Sequence, residues 1–198
     1  MAANSLLVKE LREKTGAGIL DCQKALVESG NDIQKAIDHL RQKGLAAAQK
    51  RAGRETREGL VEAYIHPGSR IGVLLEVNCE TDFVARNEEF RSFVKDLALQ
   101  IAASSPSSLR REDIPAAVIA KEKEVYRAQA KETGKPEAAW DKIVQGKLEK
   151  FYQDSCLLEQ PFIKDPSITI SDLLVQKIAK IGENITIRRF TRYQLGQE

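Results

Sequence analysis

Ile71-Gly72-Val73-Leu74-Leu75-Glu76-Val77-Asn78-Cys79 alternates: Ile71, Val73, Leu75, Val77 and Cys79 share one side of an extended chain, and Leu74, Glu76 and Asn78 share the other. Successive strand side chains point to opposite faces, so this stretch predicts a β-strand with one strongly buried face. Upstream, Gly59 to Ile65 also alternates, and Pro67-Gly68 suits a type II turn, which makes the two segments a hairpin. Downstream the period becomes helical. Phe90, Phe93, Val94, Leu97, Ala98 and Ile101 form the stripe of a core-packing helix, capped by Asn87, with Glu88 and Glu89 favouring its N-terminal dipole and Ser104-Ser105-Pro106 ending it. Between strand and helix lies a connector, Glu80-Thr81-Asp82-Phe83-Val84, in which an aromatic beside an acid marks a contact point.

Ahead of the hairpin the pattern is helical. Asn4 and Ser5 are N-caps for a helix through Lys14 with Leu7 and Leu11 on one face, and Thr15-Gly16-Ala17-Gly18 breaks it. A second helix, Ile19 to Ser29, carries Cys22 and Leu26 and closes at Gly30; Asn31 or Asp32 caps a third, with Ile33, Ile37 and Leu40 beside Ala36 and Gly44 near its end. Residues 1–45 therefore read as a three-helix module resembling ubiquitin-associated-type bundles. Residues 46–57, with Lys50, Arg51, Arg54 and Arg57 around Gly53, read as a basic linker with helical tendency.

Residues 58–198 read as the core domain. Two helical stretches, 116–132 and 137–152, flank the breaker Thr133-Gly134-Lys135-Pro136, so an antiparallel helical hairpin is inserted at about 116–153; the thin apolar stripe of its first arm, Val118, Val125 and Tyr126, implies that it protrudes. Leu157 to Pro166 reads as a prolyl loop. Ser171 then caps a helix with Leu174, Ile178 and Ile181 inward, and a strand follows from Asn184. In that strand Ile185 and Ile187 share a parity that Phe190 breaks, which places a bulge near Arg188-Arg189. The expected fold class is α+β: a helical bundle, then a small, mainly antiparallel sheet packed with helices and interrupted by a helical hairpin.

Among 198 residues, 42% are hydrophobic and 30% charged, which describes a soluble globular chain with no apolar run long enough to span a bilayer. The Met-Ala-Ala-Asn-Ser-Leu-Leu start lacks the basic and apolar regions of a secretory signal, so the cytoplasm is the expected compartment. Cys22, Cys79 and Cys156 lie far apart and suit free buried thiols better than a zinc site or a disulfide framework. His39 and His66 make no ligand spacing with them. Phosphate-binding loops, dinucleotide fingerprints, zinc-protease motifs and nucleophile elbows are all absent, so neither an enzyme nor a cofactor is expected. Lys and Arg outnumber Asp and Glu by only 31 to 29, so overall charge gives no reason to expect direct nucleic-acid binding.

Two segments, Val8-Lys9-Glu10-Leu11-Arg12-Glu13-Lys14-Thr15-Gly16-Ala17-Gly18-Ile19-Leu20-Asp21-Cys22 and Leu75-Glu76-Val77-Asn78-Cys79-Glu80-Thr81-Asp82-Phe83-Val84-Ala85, resemble translation elongation factor Ts, the guanine-nucleotide exchange factor of elongation factor Tu. Gln160-Pro161-Phe162 and Ile181-Gly182-Glu183-Asn184-Ile185 extend the likeness, which is to the short class of the family. The resemblance implies an N-terminal ubiquitin-associated-like bundle and a protruding coiled-coil hairpin. It also implies that Thr81, Asp82, Phe83 and Val84 enter the G domain of Tu near its Mg²⁺ site, with the aromatic ring lodged between two helices. Arg12, Ile19 and Leu20 match positions where the N-terminal module contacts the partner. Because adjacent helical residues point about 100° apart, one of Ile19 and Leu20 is expected inward and the other, Ile19, outward.

Gln23 departs from a Lys common in the family, which puts an ionic contact there in doubt. Resemblance to the short class also implies a homodimer as one way to supply the surface of a missing core half; no cysteine follows Cys156, so a disulfide near the C-terminal strand cannot lock it, and a non-covalent homodimer is left open. A rival reading is an RNA- or ribosome-binding protein using the basic linker with Arg188, Arg189 and Arg192, although such arginines also protect a strand edge.

Overall fold

The first and third helices of the N-terminal part begin where a side chain satisfies orphan amides. In this computed structural model, which describes residues 3–132, 134 and 136–197, Asn4 opens α1 (Ser5–Thr15) by accepting from the Leu6 amide, and Gly16 ends it at φ 65°. Gly18 precedes α2 (Ile19–Glu28), and Asp32 opens α3 (Ile33–Arg51) by accepting from the Lys35 amide at 3.0 Å. The basic stretch is thus helical to Arg51. There follow β1 (Glu58–Ile65), β2 (Ile71–Cys79), α4 (Asp82–Ala85), α5 (Glu88–Ser104), α6 (Ala116–Glu132), α7 (Trp140–Ser155), β3 (Pro161–Phe162), β4 (Asp165–Thr169), α8 (Ile170–Ile181) and β5 (Ile185–Gln194). The fold is α+β, with an antiparallel three-stranded sheet in the order β1-β2-β5. Thr133 and Lys135 of the expected breaker lie outside the described residues.

The chain divides into two units, one comprising Met1–Tyr64, Leu74–Ala98 and Asp172–Thr191, the other Ile65–Val73, Leu99–Ser171 and Arg192–Glu198. In the first, Val8, Leu11, Cys22, Ala25, Leu26 and Ala36 form the small core of α1–α3, with Leu7, Ile33, Ile37 and Leu40 against it. Gly44 belongs to packing and not to a helix end: it is buried, and a Cβ there would stand 3.5 Å from Val175 Cγ1 and 3.8 Å from Ala179 Cβ of α8. Arg41 pairs with Asp172 at 2.9 Å and Arg51 Nε donates to the Gly182 carbonyl at 2.9 Å, so α3 is fixed to α8 at both ends of its second half.

Leu75, Val77 and Cys79 of β2 are buried, and so are Phe90, Phe93, Val94, Leu97 and Ala98 of α5. Alternation and stripe therefore report burial faithfully. Gly59 is required by a close approach of strands, since at φ 146° its Cβ would meet the Val77 carbonyl oxygen at 2.2 Å and Asn78 Cα at 2.7 Å. Two details of α8 and β5 differ from expectation or refine it. Helix α8 starts at Ile170, one residue before the expected Ser171 cap, and Ile170, Leu173 and Ile178 are its buried residues while Leu174 and Ile181 are half-buried. In β5 Arg188 and Arg189 are both exposed, and burial shifts from odd to even positions there, the phase slip that Phe190 signalled.

The second unit contains the turn of the first hairpin, where Ser69 donates to the His66 carbonyl at 2.9 Å around Gly68 at φ 89°, as a type II turn requires. Helices α6 and α7 pack on each other; Ala130 and Leu148 are buried, whereas Val118 and Val125 are exposed. Arg111 braces the base of this pair. Its guanidinium bonds Glu149 at 2.7 Å and Glu159 at 2.5 Å and lies 4.4 Å from the Tyr152 ring centroid. The expected loop at 157–166 is instead a short antiparallel ribbon of β3 and β4, with Phe162 buried and Gln100 Nε2 donating to Gln160 Oε1 and the Pro161 carbonyl.

Gly59→Ala should lower the unfolding free energy by at least ~2 kcal/mol, combining overpacking against backbone with a strained φ. Gly146→Ala, in the middle of α7 with open space around it, should raise it by about 1 kcal/mol. Urea unfolding midpoints of the two variants check both signs.

Candidate functional site

Where β2 ends, the chain turns into a helix of a single turn. Thr81 is its N-cap: the backbone is extended at φ −128°, ψ 156°, and Oγ1 accepts from the Val84 amide at 3.4 Å. The amides of Ala85 and Arg86 then bond the carbonyls of Thr81 and Asp82. The connector expected from the sequence is therefore ordered as α4, and its faces are distinct. Ala85 is buried, Asp82 and Val84 are half-buried, and Phe83 is 80% exposed, so its ring does not fold back into the core. Asp82 lies 2.9 Å from Arg86 one turn on.

A helix of four residues has no stability of its own; neighbours hold it. Glu183 Oε2 accepts from the amides of Glu80 at 3.1 Å and Thr81 at 3.0 Å, and Oε1 accepts from the Thr81 hydroxyl at 2.7 Å. In return Glu80 Oε1 accepts from the Asn184 amide at 2.6 Å, and Asn184 Nδ2 donates to the Arg54 carbonyl at 2.8 Å. Below the turn the Cys79 thiol donates to the Thr81 carbonyl at 3.2 Å. Burial, then the nearby Glu183 carboxylate, pushes that thiol up to about 11. Burial also raises Cys22, and raises Cys156 to about 11; all three thiols are free.

Just beyond the turn, Glu89 anchors the start of α5 to α8 through Lys177 and, at 2.7 Å, Lys180. Hydrogen bonds from Lys177 and then Lys180 hold its carboxyl below the usual glutamate range. Glu89 thus does more than serve the helix dipole.

The second set of sequence candidates sits on α1 and α2. Arg12 is exposed in the last turn of α1, and Ile19 and Leu20, in the first turn of α2, are 51% and 71% exposed. The expectation that one of this pair packs inward is overturned. Cys22, Ala25 and Leu26 fill the inward face of α2, and Leu20, two residues from Cys22, points about 200° away from it. Val27, seven residues after Leu20, is also exposed and continues the apolar surface on that side. Among the described residues no hydrogen bond or ion pair joins Arg12, Ile19 or Leu20 directly to Thr81–Val84. Glu80, Glu183 and Asn184 were not singled out by sequence reasoning; the only signal was their place in two of the segments that carry the family resemblance. Among the described residues, no cluster of His, Cys, Asp and Glu could hold a metal ion, and no helix is long and apolar enough to cross a membrane.

The family model described as Elongation factor TS matches residues 7–197. The chain belongs to the elongation factor Ts family. Elongation factor Ts of Carboxydothermus hydrogenoformans is 63% identical over 193 residues, 98% of this chain and 89% of that protein. The Caldanaerobacter subterraneus protein of the same name is 63% identical over 190 residues, covering 96% and 95%. That of Thermodesulfovibrio yellowstonii is 61% identical over 197, covering 100% and 98%. Membership in the elongation factor Ts family makes the chain a translation elongation factor.

A carboxyl whose folded pKa is depressed contributes stability above its unfolded value and loses that contribution as pH falls through the folded one. Glu89→Gln should therefore cost about 1 kcal/mol at neutral pH, partly exposed as the group is. The gap to the wild type should close as pH drops below the usual glutamate range, measured by urea unfolding from pH 7 to 3.

Proposed function

We propose that the chain is a nucleotide-exchange factor that binds elongation factor Tu–GDP and promotes GDP release by disturbing the Mg²⁺ and phosphate site, without catalysing a chemical reaction. The observation that supports this most is the exposure of Phe83 at the tip of an otherwise well-held turn. A large apolar ring presented to solvent on a braced backbone can enter a partner without first giving up contacts within its own core. Thr81, Asp82 and Val84 form the turn that carries it. Arg12, Ile19 and Leu20 serve as the docking surface of the N-terminal module, residues 1–45, and the exposure of all three suits that role.

The mechanism is a coupling of two binding events. A factor accelerates release when it and the nucleotide lower each other's affinity for Tu by the same ratio, as linkage demands. The Mg²⁺ of such GTPases bridges phosphate oxygens and protein ligands, so a wedge that displaces the elements holding it loosens GDP without touching the base. Burying one Phe side chain contributes roughly 1.5–3 kcal/mol, or about 10- to 150-fold in an equilibrium. Action in the cytoplasm, alongside translation, follows from this reading.

The RNA-binding alternative draws less support from the arginines on which it rests. Arg189 Nε bonds Glu76 at 2.7 Å, and Arg192 donates to the Ala102 carbonyl and to Gln194. These internal partners compete with phosphate. A non-covalent homodimer stays compatible with the exchange role.

Phe83→Ala should reduce the stimulation of labelled GDP release from Tu by about 10- to 150-fold, with an unfolding midpoint close to that of the wild type because the ring buries little within the chain. Release as fast as with the wild type would remove Phe83 from the mechanism, and no acceleration by the wild type would remove the exchange function itself.

A further inference from the structure

We propose that Glu183 is a positioning residue for exchange, clamping the backbone at Glu80–Thr81 so that Phe83 is presented in one fixed orientation. This rests on the exchange reading above and deepens it. The single turn of α4 cannot orient Phe83 unaided, and the three donors that Glu183 receives, two amides and a hydroxyl, all belong to the two residues that precede α4. A carboxylate taking three hydrogen bonds is a strong, directional anchor. Glu80 completes the clamp from the opposite side by accepting from the Asn184 amide at 2.6 Å, so each acidic side chain secures the turn that carries the other. The partners are more than 100 residues apart in sequence, 102 for Thr81 with Glu183 and 104 for Glu80 with Asn184. The turn between α8 and β5 is therefore the element that aims the ring. Releasing the clamp leaves the aromatic side chain intact but makes its tether an ensemble, and the ordering cost then falls on insertion of the ring, after the N-terminal module has docked.

A thermodynamic cycle tests this. Glu183→Ala, Phe83→Ala and the double variant are assayed for labelled GDP release from Tu over a range of factor concentrations, with amide hydrogen exchange at Glu80 and Thr81 read in parallel. Glu183→Ala should lower the maximal release rate roughly tenfold, reflecting the ordering of about one residue, while the concentration for half-maximal effect stays within about threefold because the N-terminal module still docks. In the Phe83→Ala background the same change should cost less than about twofold, since a residue that acts only by aiming the ring has nothing left to aim. The amides of Glu80 and Thr81 should exchange faster, with α5 unchanged. Equal losses in both backgrounds would make Glu183 a general fold residue and overturn the proposal, as would wild-type release by Glu183→Ala. Should Glu183→Ala fail to fold, Glu183→Gln, which keeps the volume and one acceptor oxygen, carries the same comparison. If wild type and Phe83→Ala release GDP equally, the exchange reading of the ring fails first; unchanged amide exchange on releasing the clamp overturns the proposal independently.

Discussion

Two backbone amides at the end of β2 set a demand that the surrounding structure is arranged to meet. Those of Glu80 and Thr81 point to Glu183 for their acceptors, and a backbone donor left unpaired in such a place is costly. Meeting the demand draws Gly182–Asn184 alongside the end of β2. Arg51 and Arg54, at the far end of α3 and just after it, bind the same junction through the Gly182 carbonyl and the Glu80 carboxylate. The end of the bundle helix, the end of a strand and the start of another are thereby tied within one unit by polar contacts. The apolar residues of β2 and α5 supply most of the burial nearby.

Elements held by local rules were legible in the sequence. The α5 stripe, the β2 alternation, the Asn4 and Asp32 caps and the Pro67-Gly68 turn each depend on spacing of a few residues, which the chain states directly. Errors arose where tertiary contact decides. Leu173 and Leu174 are neighbours with identical side chains, and only the elements packed around α8 choose which is buried. Gly44 looks like punctuation, yet it is a place where α8 passes close to α3. The β3–β4 ribbon has a two-residue strand starting at Pro161, too short to show a period. At the site, residue types placed Phe83 in a connector but could not distinguish an exposed ring from a folded-back one. The Glu183 contacts were invisible to any local window because the partners are distant in sequence. The arrangement of Ile19 and Leu20 was misjudged because Cys22, Ala25 and Leu26 suffice to fill the inward side of α2.

The helical hairpin follows a different economy. Val118 and Val125 leave α6 little apolar surface to bury, so its pairing with α7 draws on Ala130, Leu148 and the ion pairs of Arg111. Both glutamates raise the guanidinium further above its ordinary value, which keeps it charged at any accessible pH. Along the pair, Lys147 donates to Gln129 and lies over the Tyr126 ring, Arg127 stands 3.7 Å from Asp141, and Lys131 lies over the Trp140 ring, so polar contacts join the two helices beyond the base while the surface stays polar.

The three thiols carry a practical consequence. Cys22, Cys79 and Cys156 are buried, and with Cys79 and Cys156 pushed up to about 11 the thiolate at neutral pH is only about one part in ten thousand. Alkylating reagents require that thiolate. Burial of all three therefore makes them slow to label beside a single cysteine introduced on an exposed helix, which can carry a fluorophore or spin label in the native chain.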